Sequence, residues 1–314
     1  MNQSVWNFTP AFPFLFVSCS RKFSPMKNVL RFSVIAMLAL MVACRKDKAP
    51  DPNPPSYRLI FTFKFDSTQV RLNSQGQIAS VPSNHGAQSP VFHLMSSHYI
   101  ELTPTMTTGL GQGDVIYHAP ETTVGGPNAI DFDSSHVVGE GQEFYSIPLS
   151  QVTPGSYNYL RVSLAYQNYD VKVRANSIDF TGRLASFIGF NTYIRTFSPN
   201  AVPVTVNANK AQGYWAFEAF SQVTQGQAPA GATTVPNPIF ATSPIPQGSC
   251  LVTGQFSSPL TITGTETHDI HVVVSLSTNQ SFEWVEHSTP GIYEPLNGDT
   301  VVDMGIRGLI PFVQ

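Results

Sequence analysis

Charge is the scarcest resource in this sequence. Asp, Glu, Lys and Arg make up 12% of its 314 residues, about half the usual share of a soluble domain. Helical bundles are disfavoured by that shortage, because their polar faces are built from Glu and Lys among Leu and Ala. No Lys/Arg cluster exists outside the N-terminus, which argues against a nucleic-acid partner. Cysteine is scarce too, with Cys19, Cys44 and Cys250 the only three. The HExxH, CxxC and GxSxG patterns are absent. The glycines of Gly109 to Gly113 neither follow a strand nor precede a Lys-Ser/Thr pair, so they read as a turn rather than a phosphate cradle. What fills the gap is 22 Gly, 25 Pro and abundant Ser, Thr, Asn and Gln, with 42% hydrophobic residues. That apolar content is too high for a disordered chain.

The longest uncharged apolar run near the N-terminus, Phe32 to Ala43, spans twelve residues. A membrane-spanning helix needs about 20. Behind the basic opening Met26 to Arg31, the run fits the core of a secretory signal peptide over residues 26–43, cleaved after Ala43. Leu40 to Cys44 (LMVAC) resembles the lipobox of bacterial lipoproteins of the Bacteroidota type, with Met41 where Leu is usual. The resemblance implies acylation of Cys44, a membrane partner reached through a lipid anchor, and a cell-envelope location. Arg45 stands where Asp would signal inner-membrane retention, so the outer membrane is expected. Residues 44–56 then supply the lipidated Cys and a Pro-rich tether, RKDKAPDPNPPS. Residues 1–25 fit no part of this scheme, and translation is expected to start at Met26.

Without residues 1–43 the chain keeps 13 basic groups against 20 acidic ones, a net charge of about −7 by side-chain counting. That favours solubility, argues against anionic partners and permits cation binding. With Cys44 acylated, Cys250 is left alone, so no intramolecular disulfide is available.

From Tyr57 onward the hydrophobic period is two. Tyr57, Leu59, Phe61, Phe63 and Phe65 alternate with Arg58, Thr62, Lys64 and Asp66, although Ile60 breaks the polar side, the signature of a half-buried strand. Leu160 to Tyr166 alternates likewise, then shifts phase to Val171 and Val173, predicting a bulge or a turn near Gln167 to Tyr169. Val202 to Val206 and Ile270 to Leu276 read as further strands. Only Gly182 to Phe197 has helix-like spacing. Many short strands between Gly/Pro turns predict an all-β fold: an antiparallel β-sandwich of jelly-roll or Ig-like kind, or two packed β subdomains, over residues 57–314. The Pro-rich stretch 224–249 is either a subdivision or a long loop.

Candidate chemistry is sparse. His93 and Met95 lie two apart in a predicted strand, hence on one face. Imidazole plus thioether is a copper-like pair, and His98 joins them if a bulge intervenes. His268 and His271 are predicted to lie on opposite faces of a late strand. Trp215 and Trp284, if exposed, could stack on sugar rings, with Glu218 or Glu283 accepting hydroxyl hydrogen bonds. Nothing in the sequence pairs those carboxylates, so no enzymatic activity is expected.

Parts of the domain resemble the MbnP-like copper-binding proteins, a family of exported β-rich bacterial proteins. The matching pieces are Phe61 to Asp66 with Leu72 and Gly76-Gln77, the strand His98 to Leu102, and Gly213 to Trp215. The resemblance implies periplasmic or surface copper binding through His and a Trp-derived group. It assigns no ligand residue by residue. The sequence therefore leads to an envelope-anchored β domain that binds a metal such as copper; the alternatives are a surface glycan-binding module and a structural or interaction lipoprotein.

Overall fold

The period-two runs fold as strands. The structure, a computed structural model, describes residues 56–72, 77–228, 245–246 and 248–314. The readings for residues 1–55 (extension, signal peptide, Cys44 and tether) lie outside them, as does most of the 224–249 stretch. In chain order the strands are β1 (Arg58–Asp66), β2 (His85–Gln88), β3 (Val91–Thr103), β4 (Asp114–His118), β5 (Glu121–Thr122) and β6 (Ala129–Asp131). There follow β7 (Glu143–Pro148), β8 (Gly155–Ala175), β9 (Ile178–Phe187), β10 (Asn191–Phe197), β11 (Val204–Ala211) and β12 (Tyr214–Ala219). The last six are β13 (Gln222–Gln227), β14 (Cys250–Ile262), β15 (Ile270–Ser277), β16 (Phe282–Val285), β17 (Thr300–Asp303) and β18 (Leu309–Val313). Only short 3₁₀ turns accompany them among the described residues. The helix-like spacing of Gly182 to Phe197 is thus corrected to the end of β9, a turn and β10. β-branched residues and Gly189 win there over a fortuitous period.

The fold is all-β and packs its sheets in layers. A four-stranded sheet runs in the order β18-β15-β1-β7. Against it lies a seven-stranded sheet in the order β13-β12-β9-β8-β3-β4, with β14 also paired to β8. Leu59, Phe61 and Phe63 of β1 and Val272 and Val274 of β15 share one apolar cluster with Leu102 of β3 and Leu160 of β8. Each such side chain stabilises the fold by about 1.5–3 kcal/mol relative to exposure. A smaller cluster, including Phe187, Ile194, Phe197 and Tyr214, joins the seven-stranded sheet to the layer β11-β10-β6-β5. A three-stranded sheet, β17-β16-β2, completes the set.

Most pairings are antiparallel, but β1 runs parallel to β15, aligning Leu59 with Ile270 and Phe65 with Leu276. β6 and β10 are parallel as well. β8 explains the phase shift read in the sequence. Its residues 160–169 are buried in succession, because both faces of the sheet are covered there. The irregularity falls at Ala165, which the pairing with β3 passes over, slightly ahead of the predicted Gln167 to Tyr169. The strands flanking the Pro-rich stretch, β13 and β14, belong to the same sheet. Cys250 is a free, buried thiol, and burial pushes it up to about 12.

Candidate metal-ligand site

A bulge sets the site in place. Along β3, Ser97 pairs with Leu164 and Tyr99 with Ser163, so His98 is passed over by the ladder. A bulged residue turns its side chain away from the regular alternation. His98 is thereby aimed towards the edge strand β4, where Tyr99 pairs with His118. Its carbonyl also accepts the Ala119 N–H at 2.8 Å. Pro120 then ends β4, since it offers no N–H to a ladder. The chain turns and brings Glu121 back beside His118.

Three side chains converge as a result. His98 Nε2 lies 2.9 Å from Glu121 Oε1, and His118 Nε2 lies 3.5 Å from the same oxygen. One donor atom from each residue can be chosen so that all three lie within 4.8 Å of one another. The imidazole rings are 4.8 Å apart between centroids, and Phe190 packs on His98 at 5.3 Å. Burial is graded: the side chain of His98 is 0% exposed, Glu121 23% and His118 42%. The cluster therefore has a closed floor and a mouth at His118.

The protonation states suit a cation. Burial, followed by the neighbouring His98 ring, holds His118 below its ordinary value. The hydrogen bond from His98 is the largest influence holding Glu121 below the usual carboxylate range, and it outweighs burial. At neutral pH this leaves His118 neutral beside an ionised Glu121, forms that bind metal, while a metal on His98 Nε2 would displace the proton shared with Glu121. Asn128 Nδ2 donates to Glu121 Oε2 at 2.6 Å, the kind of outer contact that fixes a ligating carboxylate. His98 Nδ1 is buried with no hydrogen-bond partner.

Of the residues singled out in the sequence, only His98 enters this trio. His93 is also passed over by the β3–β8 ladder, but its Nε2 meets Asp170 at 2.9 Å. Asp170 is held in turn by Arg183. Met95 is wholly buried in the main core. The bulge at His93 breaks the alternation that put these two on one face, so the copper-like pair is corrected to a salt-bridged His and a core Met. His268 and His271 are both exposed, and β15 starts only at Ile270. His118 and Glu121 were not singled out; the signal available was His-x-x-Glu with a proline just before the Glu, weak when read alone.

The sugar-stacking reading is corrected for Trp284. Trp284 is 0% exposed and packs against Phe282 and Tyr293, because β16 is covered on its inner side. Trp215 is half-buried. The carboxylates offered to sugar hydroxyls are engaged: Glu218 accepts the N–H groups of Asn200, Ala201 and Val202. Glu283 is bound by Arg71, Arg307 and His85. Searches against family models, curated proteins and solved structures return no match to the chain.

Proposed function

We propose that the chain is an outer-membrane-anchored lipoprotein whose β domain binds one divalent transition-metal ion through His98, His118 and Glu121. The convergence of these three donors, from β3, β4 and the segment after Pro120, carries the reading. Two imidazoles and a carboxylate suit copper(II) or zinc(II), and the Irving–Williams order ranks copper the tighter of the two. Tetrahedral bonds of 2.0–2.1 Å separate neighbouring donors by about 3.3 Å. The two imidazole–carboxylate separations, 2.9 and 3.5 Å, lie close to that spacing, and the two imidazole donors lie within 4.8 Å of each other. Three protein ligands leave a coordination position open towards the exposed His118.

The test is metal content of the purified chain after copper or zinc loading and desalting. About one equivalent is expected, with affinity falling at least 100-fold in His118→Ala and Glu121→Gln. Asn128→Ala is expected to weaken it 10–100-fold, as outer contacts do. His93→Ala should leave it unchanged. Absence of retained metal, or retention insensitive to His118→Ala, overturns the proposal. For the anchor, metabolic labelling with a radioactive fatty acid is expected to mark the chain, and Cys44→Ser to abolish the label.

A further inference from the structure

The described chain contains a second concave feature, remote in character from the histidine cluster. A cavity of about 590 Å³ opens between β8, β9, β12 and β13 on one side and the segment from Phe282 to Met304 on the other. Small-molecule sites range over about 300–1,000 Å³. Its floor is fully buried and aliphatic, formed by Val171, Val173 and Leu184.

Two rings lie along one wall. Trp215 and Phe217 are two apart on β12 and so share a face, whereas Tyr214 and Ala216 on the other face belong to the smaller core cluster. Glycines make room for both rings. A Cβ on Gly226, the cross-strand partner of Trp215, would lie 2.4 Å from the indole Cζ2. One on Gly182 would lie 2.0 Å from the Phe217 ring. With no side chain at either position the rings lie against the neighbouring strands and present themselves to the cavity, half-buried rather than covered.

The polar groups define what could enter. Thr224, Gln227 and Thr300 are exposed at the rim. Asp299 and Asp303 also line the cavity, but both are already engaged. Asp299 accepts the N–H groups of His287 and Glu294 and the Ser288 hydroxyl. Asp303 accepts from Gly305 and pairs with Arg307 at 2.9 Å. Among the described residues, no Lys, Arg or His lines the cavity. An anionic ligand would be desolvated beside Asp299 with no cationic side chain in the lining to offset it. A heavily hydroxylated sugar would leave most of its hydroxyls unpaired against aliphatic walls.

We infer that this cavity is a binding site for an uncharged, largely apolar, ring-bearing small molecule, stacked on Trp215 and Phe217. The site is independent of the metal reading, because it shares no residue with His98, His118 or Glu121.

A matched pair of probes tests it: N-phenyl-1-naphthylamine, which is uncharged, and its anionic sulfonate, 8-anilinonaphthalene-1-sulfonate. Titration of the purified chain is done in chelator, so that failure here and failure of the metal site are told apart. Direct excitation of the uncharged probe is expected to give saturable binding near one per chain, with the sulfonate at least about tenfold weaker. Thr224 pairs with Phe217 across the strands, so Thr224→Trp should fill the mouth and weaken the uncharged probe by about tenfold. Trp215→Phe should keep binding while reducing energy transfer from tryptophan to the probe to what Trp284, packed on the cavity-lining Tyr293, still supplies. Equal affinity for both probes, non-saturable uptake, or a Thr224→Trp variant that is folded by circular dichroism yet binds normally overturns the inference.

Discussion

Glu283 concentrates more opposing influences than its single charge suggests. Its carboxylate meets Arg71, Arg307 at 2.8 Å and His85 Nδ1 at 2.5 Å, with only 6% of the side chain exposed. Burial alone would raise its titration, but the contacts from His85 and Arg71 outweigh it and hold the carboxyl below the usual range. Removing the charge leaves two guanidinium groups facing each other in a half-sealed site. Glu283→Gln is therefore expected to lower stability by about 3–5 kcal/mol, read from urea unfolding. The sign of the pH effect follows from the depressed value. The unfolded chain takes up the proton first, so Glu283's contribution is complete above about pH 4.5 and is lost as pH falls through the lower folded value. The difference between the native chain and Glu283→Gln should accordingly shrink in acid; a constant gap would contradict the linkage.

At the scale of strands and turns, legibility tracked how local the cause was. β1 was readable because Leu59, Phe61 and Phe63 alternate with polar residues and only one face is buried. β8 gave a phase shift because its middle is buried on both faces, and no local pattern reports what covers a strand. The bulge at His98 depends on how β3 meets β8, residues far apart in sequence, so it could be named as a condition and not as a fact. Glu121 was invisible for the same reason. The β12–β13 turn was hidden differently. Phe220 and Ser221 occupy positive φ values of 51° and 57°, the pattern of a two-residue type I′ turn, in which Asn-Gly is preferred. Phe is not a turn residue, and here it is 75% exposed with only Phe180 against its ring at 5.0 Å. Phe220→Asn with Ser221→Gly is expected to raise stability by about 1 kcal/mol by relieving that backbone conformation. Thermal denaturation of the double variant checks it, and a lower midpoint would show that the Phe180 contact matters more.

For the whole molecule, the shared core is the deciding feature. Side chains of the four-stranded and seven-stranded sheets belong to one apolar cluster, and that cluster reaches Cys250 and Leu260 of β14, beyond the Pro-rich stretch. Two separately folding halves would each need a core of its own. Residues 57–314 are therefore expected to melt in one calorimetric transition, with the van't Hoff and calorimetric enthalpies in agreement. Two resolved transitions would favour the two-subdomain reading.

The parallel pairing of β1 with β15 has a consequence for the nascent chain. Ribosomes deliver Leu59 early and Ile270 late, yet the two must lie side by side. Until then β1 offers one bare edge, with Phe61, Phe63 and Phe65 beside unpaired amide groups, a template for pairing with another chain. A polypeptide stopped before Ile270 keeps that edge permanently open. Incomplete translation products of this protein should thus be sticky in a way the finished one is not, and their disposal falls to chaperones and proteases rather than to the fold.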